Sequence, residues 1–345
     1  KYFHNVLCLS EAKGMDITMR KVKWGVLGTA YIFERDTALG MQLADNCELT
    51  AIAGRNSEKA NAFKEKYGFQ KAYGSYEELL EDPEIEAVYI PLPNTLHYEW
   101  TIKALQHGKH VLCEKPLAPT AKEAEEMFRA AKENHVYLME AFAYQHSPFI
   151  KAVKKEIESG TIGVLRYAEA ALITSDYLKS NIRMRKESLG GCTYDLGVYA
   201  ISLIQRMMGT EPETVKAIST FNEDQIDIYT TGIFEYANGA KASFDCGMVL
   251  ATEKNGCLDR FQIHGTEGSI SSVNFGFNCP GNLSYQIKTF DGREELKVVE
   301  VPHNYRLEVE QLGRCITEGE TPYVTEEFSV SLARTIDRVL KEIGY

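Results

Sequence analysis

The sequence predicts an α/β N-terminal domain with a doubly wound parallel sheet. An α+β C-terminal domain with a large, mostly antiparallel open sheet follows. Three observations predict this. Residues 21–142 alternate short apolar runs with helical periodicity, the rhythm of parallel strands joined by crossover helices. After Ala143 that rhythm gives way to alternating strands, with Asn238-Gly239 and Asp291-Gly292 as hairpin turns. And 345 residues exceed one ordinary core. The expected division is 1–20 as an N-terminal extension, 21–142 as the first domain and 143–345 as the second. A C-terminal helix packing back on the first domain is compatible with that division.

The elements follow in order. Residues 1–20 show no periodicity, and Met15 and Met19 are alternative starts. Val22–Leu27 reads as the first strand, and Gly28-Thr29-Ala30-Tyr31-Ile32-Phe33 as the turn into a helix. Glu48–Ala53 is the second strand, with a helix over 57–67 and a short third strand at 71–74. Ser75…Glu78 and Thr120…Glu123 have capping-box spacing. Ala87–Ile90 is the fourth strand, followed by Pro91-Leu92-Pro93-Asn94 and a helix over 97–106. His110-Val111-Leu112-Cys113 is the fifth strand and runs into Glu114-Lys115-Pro116; Val136–Phe142 is the sixth. In the second domain, 148–159, the apolar stretch to Met208 after Gly190-Gly191, 307–317 and 330–343 read as helices, and 163–174 as a long strand.

The hydrophobic fraction is 44% and the charged fraction 25%, as in globular proteins. A net charge of -11 argues against nucleic acid, which needs a basic footprint. No apolar run reaches membrane-spanning length, and Val6-Leu7-Cys8-Leu9 is too short for a signal segment. The eight cysteines form no CxxC pair and no zinc-spaced cluster. Scattered reduced thiols suit a cytoplasmic protein, and no metal is expected.

Right-handed crossovers place the strand-end loops on one edge, so Gly28, Arg55, Asn94 and Lys115 should line one crevice. The turn at Gly28 is a degraded dinucleotide fingerprint. Only its first glycine is kept, with Ala30 and Phe33 at the other two positions. A pyrophosphate would lie on the backbone N–H groups of that helix start. The second strand ends in Ala53-Gly54-Arg55-Asn56 rather than in the acid that binds an NAD ribose. An arginine there suits a 2′-phosphate, with Lys59 one turn along. NADP is therefore the expected cofactor, with NAD possible.

The second chemical stretch is Gly190-Gly191-Cys192-Thr193-Tyr194-Asp195-Leu196-Gly197-Val198-Tyr199. If helical, it sets Asp195 and Tyr199 at i and i+4 on one face, with the glycines allowing close backbone approach to a ligand.

With Glu114-Lys115-Pro116 after the fifth strand, these motifs resemble the glucose–fructose oxidoreductase / inositol dehydrogenase / rhizopine catabolism (Gfo/Idh/MocA) family, from Lys21 onward. Residues 71–79, 138–142 and the tyrosine at 199 look most like its dimeric dihydrodiol dehydrogenase and NADP-dependent D-xylose dehydrogenase branch. The resemblance implies a Rossmann first domain and hydride exchange between nicotinamide and a CH–OH group of a sugar, polyol or cyclic alcohol. It implies Tyr199 as acid/base, Lys115 as the nearby cation that a phenol needs near neutrality, and Asp195 as the group orienting Lys115 or a substrate hydroxyl. Glu114 and Asn94 would lie by the nicotinamide ribose, with Leu92 and His97 in the same cofactor loop. The Lys-Pro bond can be cis in this family. Ala143 and Gln145, where the dihydrodiol branch has tryptophan and arginine, should face the substrate, and Leu189 replaces the first of three glycines. Tyr144, His146, Asn181 and Arg183 would help shape the pocket. A homodimer through the second sheet is implied. Two other readings are an NAD-dependent enzyme that cleaves glycosides by oxidation and elimination, and a non-catalytic NADP-binding sensor.

Overall fold

The computed structural model describes residues 20–175, 179–250 and 256–345. The expected N-terminal extension, with Met15 and Met19, lies outside the described residues except for Arg20. Six strands form the first sheet: β1 (Val22–Leu27), β2 (Cys47–Ala53), β3 (Lys71–Tyr73), β4 (Ala87–Ile90), β5 (His110–Glu114) and β6 (Leu138–Ala141). Their order is β3-β2-β1-β4-β5-β6, with every pairing parallel. Central strands of such a sheet are covered on both faces; all four residues of β4 are buried accordingly. The strand order reverses between β1 and β4, and ligands of open α/β sheets bind beyond the carboxyl ends at such a point.

The intervening helices start where side chains can cap them. Asn56 accepts from Lys59 N ahead of α2 (Ser57–Tyr67), Ser75 from Glu78 N ahead of α3 (Tyr76–Glu81), and Thr120 from Glu123 N ahead of α5 (Ala121–Glu133). The box at Ser75 is half-formed, because the Glu78 carboxylate takes Gly74 N instead. The helix α4 spans Asn94–Gln106. It starts before the expected 97 because Pro93, at φ −56°, already sets the first turn.

The second sheet has eight strands: β7 (Leu165–Thr174), β8 (Thr214–Phe221), β9 (Asp227–Glu235), β10 (Lys241–Met248), β11 (Cys257–Gly265), β12 (Gly268–Asn274), β13 (Gly281–Thr289) and β14 (Glu294–Val301). Their order is β14-β13-β12-β11-β7-β10-β9-β8. Among the described residues of this sheet, only β7 and β10 pair in parallel. Three helices, α6 (Pro148–Glu158), α7 (Val198–Met208) and α9 (Glu326–Ile343), contact this sheet. Ile218, Ile233, Leu296 and Val298 on the strands are exposed.

The helix before the last, α8 (Asn304–Glu318), belongs in sequence to the second domain but packs on the first, against α1 (Ala38–Leu43), β1, β2 and β5. Gly40 permits this, since a Cβ there would stand 2.7 Å from Tyr305 Cβ. The last helix, α9, also reaches the first domain through α5. Among the described residues no helix is long and apolar enough to cross a membrane.

Candidate active site

The first helix runs over 31–43 and contains a π turn at Phe33–Thr37. Its first bonds begin at Glu34 N→Ala30 O, which leaves the earlier amides for another acceptor. Gly28 precedes it at φ +109°, where a Cβ would stand 2.9 Å from Leu92 Cδ2. The turn thus needs glycine both for its backbone conformation and for the approach of Leu92. Lys59 Nζ donates to Thr29 O at 2.9 Å and pins the loop. Arg55 is exposed at the end of β2 and interacts with the Tyr76 phenol. The free amides, the cradle that a Cβ would fill and the exposed arginine fit a dinucleotide with a phosphate on its adenosine ribose.

Across the crevice, Lys115 Nζ donates to Asp195 O at 2.9 Å and to Asp195 Oδ1 at 3.2 Å, and it stands 4.7 Å from the Tyr199 ring centroid. The Lys115–Pro116 bond is cis. Asp195 lies in a second π turn, Thr193–Gly197, which continues into α7. The π turn still lets Asp195 and Tyr199 converge on one ammonium. Asp195 Oδ2 accepts from Arg183 Nε. Burial would raise the Asp195 pKa, but Arg183 and Lys115 pull it well below the ordinary carboxylate range. Tyr199 is the reverse case: burial first, then Glu114, holds its phenol well above the usual value. The phenol is therefore protonated and uncharged near neutrality. Lys115 covers the ring face while its charge is shared with Asp195; the phenol oxygen is met by Asn278 Nδ2, at 3.1 Å.

Glu114 is buried and accepts from Tyr89 Oη at 2.6 Å, with Thr37 behind at 2.9 Å. Burial raises its pKa and Lys115 opposes the rise. Asn94 Nδ2 donates to Leu189 O at 3.1 Å, tying α4 to the loop before α7. Asn181 caps a turn by accepting from Arg183 N at 3.0 Å.

Several expected contacts lie elsewhere. His97 is fully buried, with its ring nitrogens each 2.8 Å from a carbonyl, Pro116 O and Leu92 O. It braces the two loops and has no nitrogen left for a nucleotide. Ala143, Tyr144, Gln145 and His146 form a buried 3-10 turn and do not line the crevice. Gln145 is 0% exposed, and its Oε1 accepts from Arg206 Nε at 2.8 Å, away from Lys115. Tyr144 Oη bonds Ser202 Oγ at 2.6 Å beneath Tyr199. Gly190 and Gly191 do allow close approach, but to the chain itself. A Cβ at Gly190 would stand 2.4 Å from Arg183 O, and at Gly191 1.8 Å from Asp227 Oδ1.

Other residues at the site gave no local signal. Asn278 lies between β12 and β13, and Tyr305 and Glu308 on α8. Glu308 is fully buried with both oxygens unpartnered, and burial followed by Glu114 pushes its pKa well up.

Residues 22–142 match the description "Oxidoreductase family, NAD-binding Rossmann fold", and 150–271 match the GFO/IDH/MocA C-terminal domain. The chain is 34% identical to D-xylose 1-dehydrogenase (NADP(+)) 2 of Haloferax volcanii over 92% of its length and 95% of that protein's. It is 29% identical to trans-1,2-dihydrobenzene-1,2-diol dehydrogenase of Xenopus laevis, over 93% and 98%. The solved 3-ketoreductase of Actinomadura kijaniata with NADP and TDP-benzene superimposes with a TM-score of 0.86 at 29% identity, covering 94% of this chain and 98% of that one. Both domains, their order and the full-length relatives agree: the chain belongs to the GFO/IDH/MocA family of oxidoreductases.

Proposed function

We propose that this chain is an NADP-dependent oxidoreductase acting on a CH–OH or C=O group of a sugar, polyol or related cyclic alcohol. The observation that carries this reading is the Lys115 ammonium, held by Asp195 and lying on the ring of Tyr199 just past the carboxyl end of β5, the strand beside β4. Bound nicotinamide would supply the hydride acceptor or donor. Gly28, Thr29, Ala30, Tyr31 and Ile32 would hold the pyrophosphate side of the cofactor, with Leu92 and Glu114 towards the nicotinamide. Tyr199 gives its proton to the substrate oxygen in reduction and, as phenolate, takes the hydroxyl proton in oxidation. Lys115 donates to the same oxygen. Solved structures of the Actinomadura reductase include a tyrosine-to-phenylalanine and a lysine-to-alanine variant, residue types that match this pair.

A panel of pentoses, hexoses, polyols and cyclic diols with NADP⁺ and NAD⁺ side by side, read by nicotinamide absorbance, tests the reading. Reduction of NADP⁺ by a member of the panel is expected; release of a glycoside without net cofactor reduction would contradict it. Arg55→Ala should raise the KM for NADP⁺ about 10- to 100-fold, the worth of a charge-assisted phosphate contact. The KM for NAD⁺ should change by less than about threefold, since no phosphate contact is lost.

The exposed apolar side chains of the second sheet include Ile218 at 72%, Ile233 at 60% and Val298 at 60%. A second copy of the chain covers that face in our reading, since open sheets bury such surfaces in partners. Sedimentation should give a dimer mass at micromolar concentration; a monomer mass there would contradict it.

A further inference from the structure

Burial and the surrounding carboxyls oppose the ionisation of Tyr199. Glu114 and Lys115 face it from the end of β5, Asp195 from the π turn and Glu308 from α8. Tyr305 of α8, Tyr144 beneath the ring and Arg35 of the first helix complete its titratable surroundings. Three of these groups are carboxyls, and the Lys115 charge lies over the ring rather than at the oxygen. Among the described residues, Asn278 donates to the phenol oxygen, at 3.1 Å. Its loop is held in place independently: Phe277 N donates to Asp259 Oδ2 at 3.3 Å, and the Phe277 ring lies 5.4 Å from that of Tyr199. Asn278 Oδ1 is buried without a partner, so the side chain serves no competing bond.

We propose that Asn278 is a positioning residue for Tyr199: its amide N–H occupies one lone pair of the phenol oxygen, turns the hydroxyl proton into the crevice, and stabilises the phenolate left when that proton moves. This rests on Tyr199 as the proton-transfer group. In reduction, the Tyr199 O–H bond breaks and the proton goes to the substrate's carbonyl oxygen as the carbonyl carbon gains hydride. The phenolate oxygen keeps its bond from Asn278 and is later reprotonated from solvent. In oxidation the same oxygen takes the hydroxyl proton. A donor here favours the charged form of the phenol, as donors to oxyanions do. The opposite amide orientation would draw the proton away from the crevice. Asn278→Asp, which only accepts when ionised, imposes that state and adds a like charge.

The test uses the full chain labelled with 3-fluorotyrosine, followed by ¹⁹F NMR through the alkaline range. The Tyr199 line is assigned by its loss in Tyr199→Phe. The Tyr199 midpoint should rise by about one pH unit in Asn278→Ala, the effect of one lost charge-assisted bond. It should rise further in Asn278→Asp. Turnover gives the second readout: in oxidation, the rise of kcat with pH should move up by the same amount in Asn278→Ala, while KM on the plateau stays within about threefold. A Tyr199 line that titrates at one pH in all three proteins overturns the proposal. If instead Tyr199→Phe keeps wild-type turnover, the proton-transfer reading itself fails. The NMR midpoints still decide whether Asn278 controls the phenol.

Discussion

Replacing Lys115 with methionine should lower kcat about 10³-fold, the usual scale for loss of a positioned acid/base or electrostatic group. The ammonium is held from three directions: Asp195 O at 2.9 Å, Asp195 Oδ1 at 3.2 Å and the Tyr199 ring at 4.7 Å. Methionine keeps the length and the apolar stem and removes only the charge and its donors. A second, smaller effect follows from Asp195. Its carboxylate is stabilised by Arg183 and Lys115 together, so losing one cation should cost about 1–2 kcal/mol of stability. Thermal unfolding separates the two effects, because a cost of that size leaves a 345-residue chain folded at assay temperature.

Lys115 and Asp195 were legible in the sequence because each belongs to a short local motif: an acid, a base and a proline after an apolar strand, and an acid four residues before a tyrosine. The doubly wound sheet was legible for a related reason. Its strands are buried on both faces and read as unbroken apolar runs, as in Ala87–Ile90. Asn278 and Glu308 were not legible, since neither sits in a motif. A loop between two edge-side strands and a helix that crosses back to the first domain bring them to Tyr199. Gln145 shows the opposite failure. Its place in the chain suggested a pocket residue, but Arg206, some 60 positions later, draws its side chain into the core. The arginine to which it turns is not predictable from position 145 alone.

Gly191→Ala is expected to cost about 3–5 kcal/mol and to reduce activity through the active-site turn rather than through any lost contact with substrate. Gly191 has φ +110°, and its added Cβ would lie 1.8 Å from Asp227 Oδ1. Asp227 is fully buried and cannot move outward to water. Its other oxygen accepts from Thr193 N at 2.7 Å and from Cys192 Sγ at 3.2 Å, holding the start of the π turn that carries Asp195. Displacing the carboxylate leaves Thr193 N–H without its acceptor and loosens the turn from which Asp195 reaches Lys115. Gly68→Ala is the control. Gly68 has φ +80° with nothing within 4 Å of the added Cβ, so it carries the backbone strain alone, about 1 kcal/mol. Denaturant melts of both variants check the difference: the Gly191 variant should lose at least twice as much stability. Equal losses would mean that Asp227 does not hold the turn.

The two π turns follow the same logic. Phe33–Thr37 on the first helix reaches Glu114 through Thr37 and Tyr89, and Thr193–Gly197 before α7 reaches Lys115 through Asp195; such turns recur at functional sites. In the second, the Asp195 carbonyl accepts from Lys115, so backbone and side chain of one residue aim the ammonium at the ring of Tyr199.

In the proposed function, Lys115 and Tyr199, organised by Asp195, carry the proton side of a hydride transfer. The most direct measurement is the single-turnover rate of nicotinamide reduction under saturating NADP⁺ and the best sugar or polyol of the panel, in wild type and Lys115→Met. A rate lowered about 10³-fold with the fold intact is predicted. A rate within about tenfold of wild type would contradict it.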